Sequence, residues 1–185
     1  NIYLIEPYFS SLDFGIWSLS SQIFDVLLII PSSIALVLLP KMMKSKKPNI
    51  IKKDYLKKIL YIMIILCGIF IFFGKYTIRI LYGDEYILAY KYMILLIPGL
   101  ISYSLISLIS QYLATLGMPK EMIYIWIMVL IIQLSITNTT INKIGIEGSM
   151  ISLSISYTLG FIMFYIFSNQ YERFLKINNK NILKN

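Results

Sequence analysis

Long apolar runs alternate with short polar or basic segments along the 185 residues, and the length of the runs decides what they can be. From Phe14 to Pro40 the only charge is Asp25, and from Tyr92 to Pro119, Met122 to Asn142 and Gly148 to Tyr171 there is none. A helix rises about 1.5 Å per residue, so about 20 residues cross a hydrocarbon core of roughly 30 Å. The run Ile59 to Gly74 is shorter, but Lys57, Lys58 and Lys75 at its ends can reach the interface on their aliphatic stems. The pattern predicts an all-α, polytopic membrane protein with five transmembrane helices near residues 14–40, 58–75, 92–117, 122–141 and 147–168. Composition agrees: 58% of residues are hydrophobic and only 14% charged, against about a quarter charged in soluble domains.

Charge then orients the spans, because lysine and arginine in short loops stay on the cytoplasmic side. The loop 41–57 and the start of the next span hold Lys41, Lys44, Lys46, Lys47, Lys52, Lys53, Lys57 and Lys58 against a single acid, Asp54. That loop is expected to be cytoplasmic. The leader carries Glu6 and Asp13 without a cation, and alternation puts Lys75, Arg79, Lys91 and Lys143 outside. Lys120 falls inside, as does the tail 170–185 with Arg173, Lys176, Lys180 and Lys184. The N-terminal end is thus expected outside and the C-terminus inside. A chain opening at Asn1 with no start signal for that orientation reads as the C-terminal part of a longer protein. The net charge of +8 is foremost a topology signal, with anionic membrane lipids as neighbours. Nucleic acid is not an expected partner, since these lysines lack interleaved aromatics. The lone Cys67 is expected to be a small apolar filler.

Polar residues inside the spans are the clue to work done there. On the first span Ser18, Gln22, Asp25 and Ser32 recur at helical spacing, and on the third so do Ser104, Ser107, Gln111 and Thr115. The two stripes are expected to face one polar cavity. Asp25 matters most, because a charged carboxylate in the hydrocarbon zone costs about 2.5–3.5 kcal/mol on insertion scales. It needs a wet cavity, a cation or a proton; the alternative is a structural carboxylate satisfied by Gln22 and neighbouring helices. The fifth span's Ser149, Ser152, Ser156 and Gly160 suit close packing, and the second span, without a polar stripe, is expected to face lipid. Pro31 and Pro98 are candidate helix kinks, and Pro40 a helix end.

Enzyme chemistry finds little support: there is no His, no cysteine pair, no phosphate-cradling glycine loop and no paired acids at one depth. No catalytic residue, metal ligand or cofactor is expected.

Short segments carry a family resemblance. Gly15-Ile16-Trp17-Ser18, Ile30-Pro31 and Leu38-Leu39-Pro40-Lys41 resemble the G-I-Y-S, I-P and L-P pattern of polysaccharide-biosynthesis membrane proteins. These are the Wzx-type O-antigen flippases of the exporter superfamily that also holds the multidrug (MATE) exporters and the lipid II flippase. Ile80-Leu81-Tyr82-Gly83-Asp84-Glu85-Tyr86 with Ala89, Leu113-Ala114-Thr115-Leu116-Gly117, and Gly145-Ile146-Glu147-Gly148-Ser149 resemble later motifs of that family, in its order. Ser149 stands where the family usually has Ala, and no proline precedes the Gly145 turn.

The resemblance implies most of the C-terminal lobe of a two-lobed transporter of about twelve helices in the bacterial inner membrane, with this fragment's N-terminal end periplasmic. It implies translocation of undecaprenyl-pyrophosphate-linked oligosaccharide by alternating access, coupled to H⁺ or Na⁺, for O-antigen (lipopolysaccharide) or capsular polysaccharide. Implied partners are a polysaccharide polymerase and a chain-length regulator. Lys91 and Lys143 become candidates for the pyrophosphate or for the membrane interface, and Asp25 for the coupling cation. A MATE-type antiporter shares the scaffold but calls for a more aromatic cavity. A non-transport scaffold or glycan polymerase calls for no continuous cavity, or for large outer loops.

Overall fold

The structure, a computed structural model, describes residues 10–45 and 48–182, with side chains described through residue 175. These residues are 95% helical, with no strand among them. Lys46, Lys47, Glu6 and the side chains of Lys176, Lys180 and Lys184 lie outside the described set.

Five helices follow one another: α1 (Ser11–Lys44), α2 (Pro48–Tyr82), α3 (Ile87–Thr115), α4 (Glu121–Ile144) and α5 (Ile146–Ile182). Each is long and apolar enough to cross a membrane. The protein is therefore a multi-pass, all-α membrane protein. Ser10 caps α1, its hydroxyl accepting the Asp13 amide at 3.2 Å and donating to the Asp13 carboxylate at 2.8 Å. Proline stands first in α2, where its missing amide would have had no partner. A short 3₁₀ turn, Asp84–Tyr86, joins α2 to α3 through Gly83 at φ +91°, and Gly145 at φ +66° turns α4 into α5. Three motif glycines, Gly83, Gly117 and Gly145, thus sit at backbone angles that favour glycine, at helix ends.

The helices outrun the apolar runs. α2 starts at Pro48 rather than near 58, so Lys52 to Lys58 stand on helix and only residues 45–47 separate it from α1. Pro40 does not end α1, which runs on to Lys44, and neither Pro31 nor Pro98 interrupts its helix. Hydropathy marks the part of a helix that lipid or core accepts; polar turns beyond it cost little backbone bonding and continue it.

α3 is the hub. It packs on α1, α2 and α5, while α4 packs on α5, and α1 touches α2 only slightly. Apolar helices gain little from leaving lipid for one another, so close approach and hydrogen bonds have to hold them. The Ser20 hydroxyl donates to the Ala89 carbonyl at 3.3 Å (α1–α3), and the Tyr90 hydroxyl to the Ile71 carbonyl at 2.7 Å (α2–α3). The Gly99 amide, next to Pro98, donates to Ser154 Oγ at 3.0 Å (α3–α5), where a Cβ on residue 99 would lie 2.8 Å from Ser154 Cα. On α5 the small-residue face meets α4: Thr137 and Ser152 hydroxyls are 2.6 Å apart, and Gly160 leaves room for Val129.

Lys52, counted in the sequence as a loop cation, is fully buried. Its ammonium lies 4.3 Å from the Tyr112 ring centre and donates to Asn169 Oδ1 at 3.0 Å, with Glu172 Oε2 at 3.9 Å. Asn49 donates to the same carboxylate at 2.6 Å. One lysine thereby ties α2 to α3 and α5 at the lysine-rich end of the bundle.

Candidate functional site

α1 and α4 barely meet, and a groove of about 290 Å³ opens between them over α3 and α5. α1 supplies Trp17, Ser21, Phe24 and Asp25, residues that recur at i, i+4, i+7 and i+8 and so share a helix face. α4 supplies Gln133 between Leu130 and Leu134, and α5 adds Ser149, Met150, Leu153 and Tyr157. α3 contributes Leu96. Asp25 is exposed and lies about 12 Å along α1 from Trp17. The groove therefore brings a carboxylate, an amide and hydroxyls together at a depth where lipid tolerates none of them well.

Two rings of the groove lining, Phe24 and Tyr157, belong to a larger aromatic cluster. Phe24 stacks on Tyr157 at 6.0 Å, Tyr103 packs edge-on to Tyr157 at 4.9 Å, and Trp126 joins them at 6.1 Å from Tyr103 and 5.4 Å from Phe164. α1, α3, α4 and α5 each give at least one ring.

The expected meeting of the two polar stripes does not occur. Ser104 is buried and donates to its own helix at Leu100 O, 2.7 Å away. Ser107 and Gln111 are half-buried on α3, about 16 and 22 Å along the helix from Leu96, the one α3 residue in the groove. The first-span stripe also divides. Gln22 donates to Ser18 Oγ at 3.3 Å and lines a second groove, of about 390 Å³, between α1 and α2. Helical spacing tells which residues share a face and leaves open which neighbour that face meets. Asp25 is joined instead by Ser21, Gln133, Ser149 and Tyr157. Gln133 had a legible signal, as the one amide within an otherwise apolar stretch of α4.

The candidate pyrophosphate lysines also differ from one another. Lys91 holds Glu147 at 2.6 Å, a bridge between α3 and α5, so its charge is already matched. Lys143 is exposed in the last turn of α4 and makes no ion pair among the described residues. Asp84 pairs with Arg79 at 2.7 Å in the exposed α2–α3 turn. Cys67 is buried, as its neighbours suggest.

Motif residues of the family resemblance have structural positions of their own. Gly15 lies against Tyr86, whose hydroxyl would be 3.6 Å from an added Cβ, and Gly148 packs on the Thr140 backbone. Searches with protein-family models, among curated proteins and among solved structures find no match to this chain.

Proposed function

We propose that this chain forms most of the C-terminal lobe of a two-lobed membrane transporter, and that the α1–α4 groove is its share of the translocation path. The observation that carries the reading is Asp25: an exposed carboxylate deep in a membrane-crossing helix, beside Gln133, Ser149 and Tyr157. Such a group requires water, a cation or a proton, and a groove open along one side of the bundle requires a second membrane-embedded body to shield it from lipid. The cargo follows from the motif resemblance: undecaprenyl-pyrophosphate-linked oligosaccharide, moved from the cytoplasmic to the periplasmic leaflet of a bacterial inner membrane. Asp25 binds the coupling H⁺ or Na⁺. Lys143, which makes no ion pair among the described residues, is a better candidate for the pyrophosphate than Lys91, which is held by Glu147.

A second reading is favoured by the walls of the groove. Trp17, Phe24 and Tyr157 line the groove together with the carboxylate, as suits an apolar organic cation in a MATE-type antiporter.

One variant tests both. In cells that depend on the full-length protein, Asp25→Asn keeps side-chain shape and removes the titratable charge. Normal membrane abundance with lost delivery of lipid-linked glycan is expected. Retained glycan delivery with lost export of organic cations would select the antiporter, and unchanged behaviour in both assays would overturn Asp25 as a coupling group.

A further inference from the structure

Near the lysine-rich end of the bundle a separate slot of about 400 Å³ runs between α2 and α5, with Leu105 of α3 at its floor. Its α2 wall reads Lys53, Leu56, Lys57 and Leu60, at i, i+3, i+4 and i+7, so two cations and two leucines share one face. Phe161 and Tyr165 of α5 form the facing wall, their rings 6.0 Å apart.

The lysines of this region fall into two groups. Lys58 is held by Asp54 at 2.8 Å, and Lys52 is engaged with Asn169 and Glu172. Lys53 and Lys57 are exposed and make no ion pair or hydrogen bond among the described residues. Lys53 and Lys57 thus bring two unmatched charges side by side to the edge of the slot. The wall turns from cationic at Lys53 to apolar at Leu60 over about 10 Å along the helix.

We propose that the slot binds one anionic phospholipid. Its phosphate sits between the Lys53 and Lys57 ammonium groups beside Tyr165, and one acyl chain runs past Leu60 and Phe161 onto Leu105. A free phosphate would leave the apolar half empty, and a neutral lipid would leave the two charges unmatched. The ligand pins α2, the helix with least protein around it, against α5. This holds whatever cargo the transporter carries.

The test uses the purified full chain in detergent, given equal amounts of palmitoyl-oleoyl phosphatidylglycerol and phosphatidylcholine, with bound lipid counted by native mass spectrometry. One phosphatidylglycerol should be retained in preference. Lys53→Gln with Lys57→Gln should weaken that retention about 30-fold, from the contribution of a surface lysine to anionic-lipid binding taken twice. Lys41→Gln with Lys44→Gln removes equal charge outside the slot and should leave retention unchanged. Leu60→Trp fills the apolar half and should also expel the lipid, with both lysines in place. Equal loss in the two charge-matched doubles would overturn the site, as would full retention in Leu60→Trp. Displacement of the lipid by millimolar inorganic phosphate would show an anion site instead of a lipid site.

Discussion

Both α2 and α3 are apolar enough to span a membrane, yet 56% of the most apolar stretch of α3 is buried in protein against 17% for α2. Hydropathy does not separate them. What does is the small and hydroxylated residues: α3 presents Ala89, Gly99, Ser102 and Ser104 to its neighbours, all buried, whereas α2 shows Phe72, Phe73 and Ile80 outward. In lipid an aliphatic side chain is at home on either side of a helix, so apolarity carries no information about neighbours. Backbone approach and hydrogen bonding carry it instead.

The strongest test of this contrast exchanges one glycine on each helix. Gly99→Leu puts a Cβ 2.8 Å from Ser154 Cα and should cost about 3 kcal/mol, since two backbones have to part. Gly68→Leu on α2 meets nothing within 4 Å and should be close to neutral. Thermal midpoints of the two purified variants, read by loss of the monodisperse peak, decide the matter; equal losses would break the distinction. Next in size is Lys52→Met, which removes the buried tie from α2 to α5 and should cost about 2 kcal/mol. Lys58→Gln, which loosens an exposed i,i+4 pair with Asp54, should fall under about 0.5 kcal/mol by the same measurement. Tyr90→Phe deletes the hydroxyl bonded to Ile71 O and should cost about 1 kcal/mol, seen as faster hydrogen exchange in the middle of α2. Phe72→Ala, 76% exposed on α2, should likewise shift stability by less than about 0.5 kcal/mol.

Five helices were legible because unbroken apolar length is a physical requirement of the bilayer. The packing face on α5 was legible too, since Ser152 and Gly160 are small at a helical period, and the structure sets them against Thr137 and Val129. Asp25 stood out by its cost, but its companions did not. Tyr157 and Trp17 look like any membrane aromatic until the fold sets them around one groove, and Ser104 looks like a cavity residue until its hydroxyl is seen on Leu100 O. Lys52 was misjudged because charges were counted without their helix face. Ile59, Met63 and Cys67 mark the inner face of α2, and one further step of seven residues from Ile59 reaches Lys52.

The hub is third in chain order, and this matters for how the protein is made. Within this segment α1 and α2 precede α3, with little contact between them. For that interval the Asp25 carboxylate rides on a helix whose groove has no α4 or α5 wall. Only when α3 leaves the ribosome do the Ser20–Ala89 and Tyr90–Ile71 bonds become available, and they recruit both earlier helices at once. Assembly of this segment is then committed by α3, and without it the helix that carries Asp25 has only the slight α1–α2 contact to hold it among these five.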